Sequence, residues 1–421
     1  MMRATRTIGR IARRGALILA CAIAAGAVAG CDGVLDVEDN PGTIGAESLK
    51  GAGAFDARYY GAQGDFVAAY DLAVLLGGLF ADELQWGGSF IARAEIDRRD
   101  VRTSNDVVGT ELYAGLQTAA KTSKDMQRDI LDGVFESEID DPANSAELAR
   151  MSFFSGYARL FLGDLFCTVA FDGTGPELTS TEVYGLAVED FTRVVEAEDV
   201  EPAILNAALV GRARARLQLG DDDGALADAE RVPTGFEYVL EYSTNSARQE
   251  NDIHNFTWGN ERLTIEAPFR ALTIDDTDAP DPRVESIDQE GTTFNGNVAL
   301  WTPGKYDARA SPIRLASWEE ARYIIAEIEG GAVARDIINE LRSARGIEEV
   351  YDPGETATDD EIRVKLFDER ARALFLEGQR MGDMRRYLDR YGLDVFPTGS
   401  LSGDQTCMPL PDVERDNNPE I

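Results

Sequence analysis

Apolar residues recur at helical spacing over most of this chain. From about residue 52 to residue 131, runs such as "DFVAAYDLAVLLGGLFADEL" and "VVGTELYAGLQTAAKTSKDM" set apolar side chains three and four positions apart, the mark of helices with a buried face. "ELARMSFFSGYARLFLG" predicts another helix from about Ser145 to Gly163. The periodicity fades over residues 234–312, where Gly, Asn, Asp, Thr and Pro accumulate around short strand-like pieces ("RLTIEA", "RALTI", "NVALW"). It returns in "ASWEEARYIIAEIEGG", "AVARDIINELRSARG" and "DDEIRVKLFDERARALFLEGQRMGDMRRYL". The tail from about Phe396 is irregular again.

One segment has a finer grammar. "NAALVGRARARLQLGDDDGALADAERV", Asn206 to Val232, reads as two helices about a polar turn, with small residues at Ala213, Gly220, Ala225 and Ala229. It resembles a tetratricopeptide helix pair, in which small residues let antiparallel helices approach closely. Such a pair cannot bury its own face alone, and "GLAVEDFTRVVEA" just upstream supplies a preceding partner. The expectation is an all-α scaffold of tetratricopeptide-like pairs with an irregular, loop-rich excursion. The layout is a signal over 1–30, a tether over 31–51, a helical part over 52–233, the excursion over 234–312 and a helical part with closing tail over 313–421. Long irregular excursions usually carry function.

The N-terminus changes the picture of where the chain resides. Arg3, Arg6, Arg10, Arg13 and Arg14 precede the apolar run from Gly15 to Gly30, with no acidic residue among them. That is the layout of an export signal, and the run is short for a membrane span of roughly 20 residues. "VAGC" resembles the bacterial lipobox, which predicts cleavage before Cys31 and lipid on that cysteine, hence an anchored protein.

The formal net charge is −35, and losing the signal makes it more negative still. Such a surface repels nucleic acid, which excludes a nucleic-acid partner. With 44% hydrophobic residues there is material for a real core. Of the four cysteines, Cys21 leaves with the signal and Cys31 takes lipid. Cys167 and Cys407 remain, either as one disulfide in an oxidising compartment or as two separate buried thiols.

Candidate chemistry is sparse. There is one histidine, His254, with no G-x-S-x-G elbow, no Cys/His zinc cluster and no phosphate-cradling glycine loop, so no catalytic residue, metal or cofactor is assigned. Paired carboxylates suit glycoside hydrolysis, but no pair stands out among 76 acidic residues. Asp275, Asp276, Asp278 and Asp281 offer hard oxygen ligands suited to calcium, yet without EF-hand spacing they read as a solvated turn. Trp86, Trp258, Trp301 and Tyr306 fall at a helix end or in the excursion, near asparagines and carboxylates. Flat rings beside such groups suit carbohydrate, and the bland alternative packs them onto the scaffold. Trp318 shares a helical stripe with Ala321, Ile325 and Ile328 and reads as core. In the last long helix Phe367, Arg370, Leu374 and Glu377 share a face. Arg370 and Glu377 should each meet a partner from another segment, as a scaffold ion network.

Several segments together resemble the SusD/RagB family of nutrient-binding outer-membrane lipoproteins. They are "LDVEDNP" after Cys31, "FADEL", "DPR" (Asp281 to Arg283), "IRLASWEEARYIIAEIEGG", "ARDIINELRSARG", "DERARALFLEGQRMGDMRRY" and "MPLPDVERDNNP". Ala373 stands where that family's signature usually has an acidic residue, and the "AEIEGG" turn is short. The resemblance implies a helical scaffold with a loop-rich ligand region, lipid-anchored at the outer membrane and facing outward. It implies a SusC-like TonB-dependent channel as partner, over which the protein acts as a hinged lid. The cargo would be an oligosaccharide or, in some members, a peptide. Two other classes compete: a carboxylate-dependent surface glycosidase, and a protein-interaction scaffold without a small ligand, for which the tryptophans should be buried.

Overall fold

Local signals set where the helices begin and end. The computed structural model describes residues 52–275, 277–397 and 403–421; the export signal, Cys31, the tether and Asp276 lie outside them. Helix α1 (Phe55–Phe80) leads through β1 (Leu84–Trp86) to α2 (Ile91–Asp97). A π-helical stretch then runs directly into α3 (Ala114–Leu131). Ser145 caps α4 (Ala146–Leu165) by accepting the Leu148 N–H. After the short ladder of β2 (Thr168–Val169) and β3 (Leu178–Thr179), Thr179 and Glu182 form a capping box on α5 (Ser180–Glu196), satisfying two otherwise orphaned donors. Helix α6 (Pro202–Leu219) starts with a proline, where a missing N–H costs nothing, and stops at Gly220 with φ +75°. Asp221 caps α7 (Asp222–Ala229).

The expected helix pair is therefore α6 with α7, and Ala213, Ala225 and Ala229 are buried between helices. Gly220 has a different duty: it ends α6 instead of admitting a neighbour. The core centres on α4, most of whose side chains are buried against α1, α3, α5 and α6. Aromatic rings of Phe66, Phe154, Tyr157, Phe161 and Phe191 fill the seams. At Gly211 the packing is so close that a Cβ would lie 2.5 Å from the Phe191 ring. Helix α1 is long and apolar enough to cross a bilayer, but it is a core helix here, mostly buried.

The excursion opens and closes on one ladder. Strand β4 (Glu237–Leu240) enters it and β8 (Ile313–Ser317) leaves it, antiparallel, with Glu237 opposite Ser317. Within it β5 (Leu263–Ile265) pairs with β1, and β6 (Ser286–Thr292) pairs with β7 (Ala299–Pro303). Two of the three strand-like pieces become strands; "RALTI" makes only an isolated bridge, Thr273 to Pro280. Helices resume with α8 (Trp318–Glu329), α9 (Gly331–Ala344), α10 (Asp359–Ala373), α11 (Arg380–Tyr391) and the short α12 (Asp412–Arg415). Trp318 begins α8 and packs half-buried on the core, beside buried Ala321 and Ile325.

The last long helix is not continuous. It stops at Ala373, and residues 374–379 turn sharply, with Leu376 and Gly378 at positive φ. Glu377 therefore lies in the turn, off the face of Arg370. Both still find partners from elsewhere. Arg370 bonds Asp383 at 2.6 Å and lies 3.7 Å from Glu320, while Glu377 holds Lys305 and Arg314, each at 2.9 Å. Similar buried pairs join α6 to α8 (Arg214 with Glu320) and α8 to α11 (Glu327 with Arg386). Cys167 and Cys407 form a disulfide, 240 positions apart, which ties the tail to the end of α4.

Candidate functional site

The region of interest grows from the end of α1. Strand β1 lies against β5 with Trp86 opposite Leu263. Thr264 then stitches β5 to the next ladder: its hydroxyl accepts the Trp301 N–H at 2.7 Å and donates to the Ala299 carbonyl at 2.9 Å. The far end of the β6–β7 hairpin folds back on the loop after β1, where the Asn295 N–H donates to the Gly87 carbonyl and the Phe294 N–H to the Glu261 carbonyl, both at 2.8 Å. A Cβ at Gly87 would fall 2.2 Å from Thr293, so only glycine permits this contact.

The four predicted rings do not form an exposed cluster. Trp86 is 7% exposed, with Gly88 against its ring and the Arg93 guanidinium 5.9 Å from its centre. Tyr306 is 2% exposed and donates its hydroxyl to the Leu376 carbonyl at 2.7 Å. Both pack the excursion onto the scaffold, and the expectation that they face a ligand is corrected. Trp258 and Trp301 are half-buried, and the Trp258 Nε1–H donates to the Pro303 carbonyl at 3.1 Å. His254 also has a structural contact, its Nδ1 lying 3.2 Å from the Tyr306 carbonyl.

The rings that do face outward are others. Phe294 is 59% exposed, with the Arg262 guanidinium stacked 5.0 Å from its centre. Phe90 and Ile91, on the loop that the hairpin tip touches, are exposed as well. The sequence carried one signal for Phe294: the Asn295-Gly296 pair beside it marks a tight hairpin turn, which lifts the preceding ring to a tip.

The aspartate loop serves as an anchor. Asp281 binds Arg283 at 2.7 Å and Arg372 at 3.0 Å, while Asp275 binds Arg342 at 2.6 Å and Lys365 at 2.5 Å. Both carboxylates pair with cations instead of waiting for calcium; Asp281 is buried, against the solvated-turn expectation, whereas Asp275 and Asp278 are exposed. Among the described residues no cluster of His, Cys, Asp and Glu is arranged to hold a metal. Arg283 and Arg342 also converge on Glu369, which is fully buried. Burial works to raise its pKa, but Arg342, Arg283 and Lys365 together hold it down at about 2.

Carboxylates at the junction of α1 and β1 behave in the opposite way. Glu83 accepts the Leu376 N–H at 2.9 Å, and burial pushes its pKa up to about 7 despite Arg380 nearby. Asp97, which accepts the Trp86 N–H at 3.2 Å, is likewise pushed up to about 7 by burial.

Comparison with known proteins places this architecture. Residues 320–420 match the model of the SusD family. No curated protein sequence matches the chain. Among solved structures, a SusD superfamily protein from Bacteroides vulgatus is similar with a TM-score of 0.68 at 15% identity, covering 88% of this chain and 98% of that one. One from Bacteroides fragilis gives 0.66 at 14%, covering 88% and 99%. A laminarin-binding SusD-like protein gives 0.64 at 12%, covering 85% and 97%. The helical scaffold with its inserted excursion is thus the SusD superfamily fold, and the C-terminal hundred or so residues carry the sequence pattern of the SusD family.

Proposed function

We propose that the protein binds a glycan on its excursion and hands it to a SusC-like TonB-dependent channel, as a lipoprotein anchored through Cys31 at the outer membrane and facing outward. The observation that carries this reading is the exposed ring of Phe294, braced by Arg262 at the tip of a hairpin on a SusD fold. Apolar C–H faces of a sugar stack on such rings while nearby amides and carboxylates bond its hydroxyls. Half-buried Trp258 and Trp301 lie on the same excursion. The laminarin-binding neighbour supports a neutral glucan as first ligand to try. The role is binding, and no bond is broken.

The test is titration of the purified protein with neutral oligosaccharides, laminarin fragments first, followed by tryptophan fluorescence and calorimetry. Phe294→Ala should weaken the bound glycan at least tenfold, about 1.4 kcal/mol. Binding indifferent to that change would remove the proposed site. A second reading, a scaffold that engages only protein, is favoured by the burial of Trp86 and Tyr306. It predicts no saturable glycan or peptide binding, with capture of the channel intact.

A further inference from the structure

A second concavity lies among the helices, and none of its lining residues belongs to the excursion. It encloses about 550 Å³ between the start of α5, the end of α6 and one face of α11, within the range of small-molecule sites. Its chemistry is unusual for this chain. Arg385 binds no carboxylate among the described residues: its guanidinium donates to the carbonyls of Gly163, Asp164 and Phe166 at 2.6, 3.0 and 3.1 Å and to the Ser180 hydroxyl at 2.8 Å. Its direct partners are thus neutral, and the Asp164 carboxylate is close enough to feel its charge without bonding it.

Arg386 beside it is buried, 2% exposed in its side chain, and pairs with Glu327 and Asp383 through Nε and Nη2. Its Nη1 has no partner among the described residues. Arg386 is part of the cavity's buried wall, its charge met by those two carboxylates. At the rim stand the exposed hydroxyl side chain of Thr181, half-buried Gln218 and exposed Asp389, and Asp389 has no bonded partner among the described residues. Tyr184 and Gln218 both donate to Asp164 behind the wall, at 2.9 and 3.3 Å.

We infer that this cavity binds a small carboxylate whose neighbouring carbon carries a hydrogen-bond donor. The carboxylate meets Arg385, and the donor meets Asp389. Two sources share that chemistry: an acidic sugar, whose donor is a hydroxyl, and an amino acid, whose donor is an ammonium. The site is independent of the glycan reading, since it uses none of the same residues.

The experiment is calorimetric titration of the full purified protein with D-gluconate, L-alanine and D-glucose. A saturable signal for one of the two acids, absent for glucose, is expected. Thr181→Tyr, at the exposed first turn of α5, fills the mouth and should weaken the acid at least tenfold. Asp389→Trp blocks from α11 and gives the same answer should the first variant fail to fold. Asp389→Asn separates the sources: alanine binding falls with loss of the ammonium's partner, whereas gluconate binding holds or rises. No binding of either acid, glucose binding as well as gluconate, or affinity unchanged in a folded blocking variant would each overturn the assignment.

Discussion

The helical scaffold and the excursion solve the burial of polar groups in different ways. In the scaffold, helices satisfy their own backbones, and side-chain ions carry the long-range connections. Glu369 on α10 gathers Arg283, Arg342 and Lys365, and Glu320 on α8 meets Arg214. Within the excursion the backbone makes the connections, through short ladders and hydrogen bonds such as those of Thr264 and Gly87, while Asp275, Asp281, Arg283 and Lys305 moor it to the scaffold by ion pairs. Strands this short give little cooperative stability alone, so the excursion leans on the scaffold through buried Tyr306 and Trp86. The lesson is a division of labour. Buried charge holds the scaffold and moors one side of the excursion to it, and the β6–β7 hairpin, held by backbone bonds, presents a ring outward.

Removing the hub should break the comparison hardest. Glu369→Ala leaves Arg283 and Arg342 short of a buried partner and should cost about 3–5 kcal/mol, read as a lowered urea midpoint. The same carboxylate sets an acid limit. Held at about 2, its contribution is full above the ordinary 4.5 and is lost as pH falls from there toward 2. Glu83 works with the opposite sign. The folded protein keeps its proton up to about pH 7 while the unfolded chain releases it near 4.5, so stability falls as pH rises between them. Glu83→Gln keeps an acceptor for the Leu376 N–H and should flatten that slope. The difference from the parent is about 3 kcal/mol across the window, measured by urea unfolding at pH 5 and pH 8.

A smaller effect is expected where the two regions touch. Gly87→Ala pushes a methyl into Thr293 and should cost about 1–3 kcal/mol, while proteolysis of the hairpin accelerates. The smallest change in stability, within about 0.5 kcal/mol, belongs to Phe294→Ala, because that ring is exposed. If it instead destabilises strongly in thermal melts, the hairpin tip is a packing element and the comparison fails there.

Much of the scaffold was legible because helical periodicity is local. Helices α4, α6, α7, α8 and α9 fall close to where the pattern placed them, and the excursion's limits are near the β4–β8 ladder. The break after Ala373 was not legible from periodicity. It depends on Leu376 taking a left-handed conformation, held by its N–H bond to Glu83 almost 300 positions away. Aspartates 275 and 281 likewise looked solvated because their cations, Arg342, Lys365 and Arg372, come from distant helices. Among the aromatics, residue type marked Trp86 and Tyr306 as candidate contacts. Burial is a property of the assembled excursion, and it leaves Phe294 exposed and Trp86 and Tyr306 covered.

The bond between Cys167 and Cys407 has a consequence for damage. Any single backbone cut between residues 168 and 406 leaves one covalent molecule. The severed halves stay at the high effective concentration that a tether provides, so the core contacts between them persist. A chain nicked in its excursion would run as one band on a non-reducing gel and as two after reduction. Wear on the exposed loops need not shed the C-terminal half from the N-terminal half.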